Sequence, residues 1–127
     1  MSHHSVQDFA VARAIPNLTV VVPADRHETK KMVEALINYD QGTYMRIGRN
    51  PVADVYESDD FDFEIGKSIL LRDGYDVTII ACGETVRIAI DASDLLKTAG
   101  IQSRNRLTHT HLQLDFGQCA YRFLGHS

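Results

Sequence analysis

The sequence has no apolar run near the ~20 residues that a bilayer-spanning helix requires, and no signal-peptide core at its N-terminus. Both absences point to a cytoplasmic chain with no membrane partner. A basic excess is missing as well. Lys and Arg number 13 against 17 Asp and Glu, a formal net charge of −4. Phosphate backbones need a basic face, so nucleic acid is excluded as a partner. Cysteine is scarce, with only 2 residues, Cys82 and Cys119, far apart and outside any C-x-x-C unit. A reduced chain is the simplest reading; a disulfide between them is the alternative, and no spacing asks for it. There is no glycine-rich phosphate loop either. What is present is the composition of a soluble globular protein, 44% hydrophobic and 24% charged. Its 127 residues suffice for one domain, or for two part-domains that share a core.

The start of the chain, Ser2-His3-His4-Ser5-Val6-Gln7-Asp8, sets two imidazoles before a helix. Ser5 and Asp8 have the S-x-x-D form of a capping box, which predicts a helix from about Val6 to Ala14, closed by Pro16. Histidines beside a helix N-terminus suit an anionic or polar ligand. An exposed loop or the remnant of a tag are the alternative readings. Leu18 to Val22 is an unbroken apolar run rich in β-branched residues, the pattern of a strand buried on both faces. Asp25 and Glu28 form a second capping box. The helix they start carries Met32, Val33, Leu36 and Ile37 as an apolar stripe, with Lys30, Lys31 and Glu34 on its wet side. Gln41-Gly42 turns the chain into a strand over Thr43 to Ile47. Helix, strand, helix, strand implies a parallel α/β layer.

Arg49 to Glu64 changes character: Asp54, Glu57, Asp59, Asp60, Asp62 and Glu64 make it acidic, with Val55, Tyr56, Phe61 and Phe63 interleaved. It reads as a connection whose aromatics dock on neighbouring surfaces while its acids stay solvated, since no EF-hand spacing is present. A second α/β unit follows. Lys67 to Arg72 and Asp76 to Ala81 read as strands, the latter buried on both faces. Glu84 to Thr98 is a helix apolar on most of its circumference, and so covered on most sides, with Gly100 at its C-terminal left-handed position. Beyond it, Asn105, Arg106 and Thr108 are too polar for a central strand, which predicts an edge strand or a loosely ordered tail. His109 and His111 alternate as on one face of an extended segment and could bind a metal, but no third ligand stands at a convincing spacing.

Several of these stretches carry a resemblance. Ser2-His3-His4-Ser5-Val6-Gln7-Asp8, then Arg13-Ala14-Ile15-Pro16-Asn17-Leu18-Thr19-Val20, then Pro23-Ala24-Asp25-Arg26-His27-Glu28-Thr29 resemble the middle domain of the transketolase family. Its patterns there are roughly T-H-x-x-x-E-D, R-x-I-P-N-x-T-V and P-A-D-x-x-E-T. Phe63 to Lys67, Leu71 to Gly74 and Asp76 to Gly83 resemble the opening of that family's C-terminal domain. Related thiamine-diphosphate enzymes, deoxyxylulose-phosphate synthase and pyruvate dehydrogenase β subunits, share the histidine loop but match P-A-D-x-x-E-T less well. The resemblance covers nearly all of residues 1–104 and only part of the family's length, so the expectation is a truncated chain.

The implied fold is α/β, two partial three-layer units with mainly parallel sheets. Residues 1–50 would be the C-terminal part of the pyrimidine-binding domain, 51–64 an acidic linker, and 65–127 the N-terminal part of the C-terminal domain, divergent from about 105. Family members move a two-carbon ketol unit between sugar phosphates with thiamine diphosphate and Mg2+, as homodimers. By resemblance His3 is the substrate-site histidine near the reacting end, and Arg49 is the arginine that meets the substrate phosphate. For Arg49 a surface ion pair with the acidic run is the alternative. The cofactor's diphosphate and metal ligands and its activating glutamate fall outside this chain, so none is expected to bind it alone. The implied partners are the N-terminal transketolase portion or a second copy of the chain. A non-catalytic binding or assembly module that keeps the fold is the competing reading.

Overall fold

A computed structural model describes residues 7–110. In chain order the elements are α1 (Asp8–Ala14), β1 (Leu18–Val21), α2 (Arg26–Leu36), β2 (Gly42–Met45), β3 (Ile69–Arg72), β4 (Val77–Ala81), α3 (Thr85–Thr98) and β5 (Ser103–Leu107). β1 and β2 pair in parallel, from Leu18 opposite Gly42 to Val21 opposite Met45. In the second sheet β5 is central, antiparallel to β3 and parallel to β4. The architecture is the α/β one that the alternation of elements implies.

Local sequence explains most boundaries. α1 ends at Ile15, which is extended because Pro16 follows it. Its start differs from expectation. Ser5 lies outside the described residues, the N-cap is Gln7 without a side-chain cap, and Asp8 turns its carboxylate to Tyr44 and Arg46. In α2, Asp25 Oδ1 accepts from the Glu28 N–H at 2.8 Å, as a capping aspartate should. The reciprocal half is shifted, since Glu28 Oε2 accepts from Ala24 N–H, one residue before the cap, at 2.6 Å. After α3, Gly100 at φ +80° allows two closing bonds, Gly100 N–H to Lys97 O and Ile101 N–H to Leu96 O.

The tail from Asn105 is neither an edge strand nor loose up to Thr110, because the polar residues find partners. Ser103, Asn105 and Leu107 point to the buried face of β5. Asn105 Oδ1 accepts from Ser93 Oγ at 2.6 Å, and its amide donates to Ala89 O. On the other face Arg104 Nε donates to Asp73 at 2.8 Å and Arg106 Nη1 to Ser68 Oγ at 2.6 Å. A satisfied polar group can occupy a central strand; only an unpaired one is excluded.

Two burial expectations are corrected. β4 is an edge of the described sheet, with Val77 and Ile80 exposed, rather than a strand covered on both faces. α3 buries Val86, Ala89 and Ser93, yet Ile88 and Leu95 are 66% and 72% exposed. On α2, Met32 is buried while Val33 and Ile37 are exposed. β1 follows expectation, with Thr19, Val20 and Val21 fully buried.

The two sheets meet at the end of β1. Val22 N–H donates to His109 O at 2.8 Å, Val21 bridges to Thr110, and Ala24, Val86 and Leu107 share one core cluster. The acidic segment straps this junction. Asp25 Oδ2 accepts from the Val55 and Tyr56 N–H groups at 2.7 and 2.9 Å. Tyr56 and Phe61 stack with centroids 3.8 Å apart, and Phe63 stacks on His109 at 4.4 Å. The acids are not all solvated as expected. Asp54 pairs with Arg26, and Asp59 pairs with His27 at 2.6 Å and with Lys30.

Candidate functional site

Parallel strands carry their carboxyl ends to the same side, the usual ligand side of an α/β layer. Here the ends of β1 and β2 face the turn between β4 and α3 across a cleft of about 900 Å3. Val22 and Pro23 line it from β1, Arg46 to Asn50 from β2, and Cys82 to Thr85 from the head of α3. Two glycines permit the approach. Gly83 is left-handed at φ +55°, and a Cβ on it would lie 2.6 Å from Val22 Cγ1. A Cβ on Gly48 would lie 1.4 Å from Glu84 Oε1, so the Glu84 carboxylate rests on the Gly48 backbone.

One wall is fixed by a polar cluster around Asp8. Tyr44 OH donates to Asp8 Oδ2 at 2.9 Å, and Arg46 Nη1 lies 3.3 Å from Asp8 Oδ1. The Arg46 guanidinium also sits 4.5 Å from the centroid of the Phe9 ring, a cation–π contact. The hydrogen bond to Asp8, then burial, pushes the Tyr44 phenol above its ordinary range. At the back of the cleft, burial pushes the Cys82 thiol up, away from the thiolate that a nucleophile would need.

Arg49 is exposed and lines this cleft, where a guanidinium can meet an oxyanion with two parallel bonds. His3 lies outside the described residues. His109 does not reach the cleft; it is fully buried beside Glu28. His111 and Cys119 also lie outside the described residues. Sequence reasoning missed Arg46, Tyr44 and Glu84, and took Asp8 for a capping residue. The available signal was the spacing of Arg46 and Arg49 at a strand end. Nothing in the chain order marks Glu84 as their neighbour.

The metal-bound diphosphate of thiamine diphosphate needs converging oxygen ligands. Among the described residues no three His, Cys, Asp or Glu side chains come together as a metal site, and Asp8 is already engaged by Arg46 and Tyr44. The cleft's guanidiniums suit an oxyanion, and among the described residues no set of converging oxygen ligands accompanies them for that cofactor's metal.

The family model described as the transketolase pyrimidine binding domain matches residues 1–53. The chain is 48% identical over 103 residues to a subunit of the apulose-4-phosphate transketolase of Phocaeicola vulgatus, covering 81% of this chain and 33% of that protein. It is 34% identical over 114 residues to a 6-deoxy-6-sulfo-D-fructose transketolase subunit of a Clostridium species, covering 90% of this chain and 35% of that one. A solved split-gene transketolase, described as an inactive β4 tetramer, superposes with a TM-score of 0.81 at 36% identity, over 86% of this chain and 36% of that chain. The chain thus spans about a third of the length of the curated relatives it matches. The motifs, the fold and these matches agree: the chain is transketolase-like, similar over 81% of its length to a transketolase subunit and over residues 1–53 to the pyrimidine binding domain of that thiamine-diphosphate-dependent family.

Proposed function

We propose that this chain supplies part of the substrate-binding face of a transketolase that moves a two-carbon ketol unit between sugar phosphates. The observation that carries this reading is the place of Arg49, on a cleft at the carboxyl ends of parallel strands. Two relatives support an oxyanion there. One is named for a phosphorylated sugar and the other for a sulfo-sugar, and both groups match a planar guanidinium. The Asp8, Tyr44 and Arg46 cluster holds the start of α1, five residues beyond His3 in the chain. In this reading the His3 loop brings an imidazole to the hydroxyls at the reacting end, while Arg49 holds the far end.

Thiamine diphosphate with Mg2+ supplies the carbanion chemistry in such an enzyme. Its diphosphate and metal site would come from another subunit, with the chain working in the cytoplasm within a symmetric dimer or larger assembly. The sugar exchange of the pentose phosphate pathway fits that chemistry. The test is reassembly. Ketol transfer should appear when the complementary subunit, thiamine diphosphate and Mg2+ are added, and not with the chain alone. Transfer by the isolated chain, or its failure to add activity, contradicts the proposal. The inactive β4 tetramer described for the solved relative favours a second reading, self-assembly without catalysis, which the failure to add activity would support.

A further inference from the structure

The cleft has a carboxylate that the reading above leaves unused. Asp8 is engaged twice, by Tyr44 and by Arg46. Glu84 is different: it is exposed to the cleft, makes no side-chain cap on α3, and among the described residues its carboxylate has no hydrogen-bond or ion-pair partner. Its place is nevertheless well defined. The left-handed Gly83 packs the turn against Val22, and the bare Cα of Gly48 provides the space that the Glu84 carboxylate fills. That contact sets an acceptor-only group beside the residue that precedes Arg49.

We propose that Glu84 is a substrate-contacting specificity residue, whose carboxylate accepts hydrogen bonds from the hydroxyls of a polyol phosphate held by Arg49. The inference rests on the phosphate role of Arg49. The complementarity is chemical: guanidinium donors face the phosphate, which only accepts, and a carboxylate faces hydroxyls, which can donate. A carboxylate repels a free phosphate and gains only when hydroxyls accompany it. Glu84 therefore selects for phosphates that carry a hydroxylated chain.

The probes are ribose 5-phosphate and inorganic phosphate, titrated separately into the full chain and followed by NMR shifts. A hydrogen bond to a charged group is lost in Glu84→Gln, so the ratio of ribose 5-phosphate to inorganic phosphate affinity should fall about tenfold. Gly48→Ala should lower the same ratio with Glu84 intact, because the new Cβ occupies the position of its carboxylate. Arg49→Ala should weaken both ligands together. Loss in Arg49→Ala with an unchanged ratio in Glu84→Gln and Gly48→Ala overturns the role of Glu84 and leaves that of Arg49 standing. Unchanged binding of both ligands in Arg49→Ala, or no saturable shift with wild type, overturns the phosphate reading and the role of Glu84 with it.

Discussion

Glu28 of α2 and His109, two residues beyond β5, face each other with no solvent exposure, Glu28 Oε1 lying 3.2 Å from His109 Nδ1. Each has a second commitment. Glu28 Oε2 accepts from the Ala24 N–H, and His109 Nε2 lies 3.0 Å from Glu64 O. The pair therefore joins the end of β1, the start of α2, the acidic strap and the end of the second sheet. Ala24 follows Val22 and Pro23, which line the cleft, so the same junction holds that side of the cleft.

Removing one member of this buried pair leaves a buried polar atom of the other without its neighbour, so Glu28→Ala should destabilise the chain by about 1–3 kcal/mol. Denaturant unfolding of Glu28→Ala, His109→Ala and the double variant measures it. The double variant should cost less than the sum of the singles, with a coupling of about 1 kcal/mol or more. Strict additivity would mean that the two side chains pack side by side without interacting.

The strap gives a pH dependence with a definite sign. Hydrogen bonds from Lys30, then His27, hold the Asp59 carboxyl down at about 2. A carboxylate depressed on folding contributes stability above its unfolded value, near ~3.9, and loses it as pH falls through the folded one. Chemical denaturation of wild type should therefore show stability declining between about pH 4 and 2. Asp59→Asn should remove that part of the slope. An identical slope in the variant would assign the acid loss to other carboxylates.

How much of this was legible in the sequence depended on whether the deciding contact was local. The end of α1 at Pro16, the Asp25 cap and Gly100 after α3 are dictated within a few residues, and they stand where expected. β5 departs from expectation because Asn105, Arg106 and Thr108 look costly in a central strand. The side-chain partners of Asn105 and Arg106, Ser93 and Ser68, lie well away along the chain, and the Thr108 N–H donates to Ala81 O. The exposed residues of α3 and β4 were misread for the opposite reason. Ile88, Leu95, Val77 and Ile80 state a demand for cover that the described residues do not meet. Of the cleft residues, Arg49 stands in a stretch that the sequence singles out, whereas Glu84 reaches Gly48 only through tertiary packing.

That unmet demand predicts association. Exposed apolar side chains on an edge strand and on a long helix favour burial against another surface. Sedimentation equilibrium of the isolated chain at micromolar concentration should report an oligomer. A monomer with strongly protected amides in β1 and β4 would show that the chain closes its own core.

The central claim is that Arg49 marks a substrate-phosphate site in a transketolase. The most direct test is steady-state kinetics of the reassembled enzyme carrying Arg49→Ala, with phosphorylated and unphosphorylated acceptors compared. Losing a charged hydrogen bond of about 1.5–3 kcal/mol should raise KM for the phosphorylated acceptor more than tenfold, with little change for the unphosphorylated one. His3→Ala in the same enzyme should act mainly on kcat. Equal effects of Arg49→Ala on both acceptors would contradict the account.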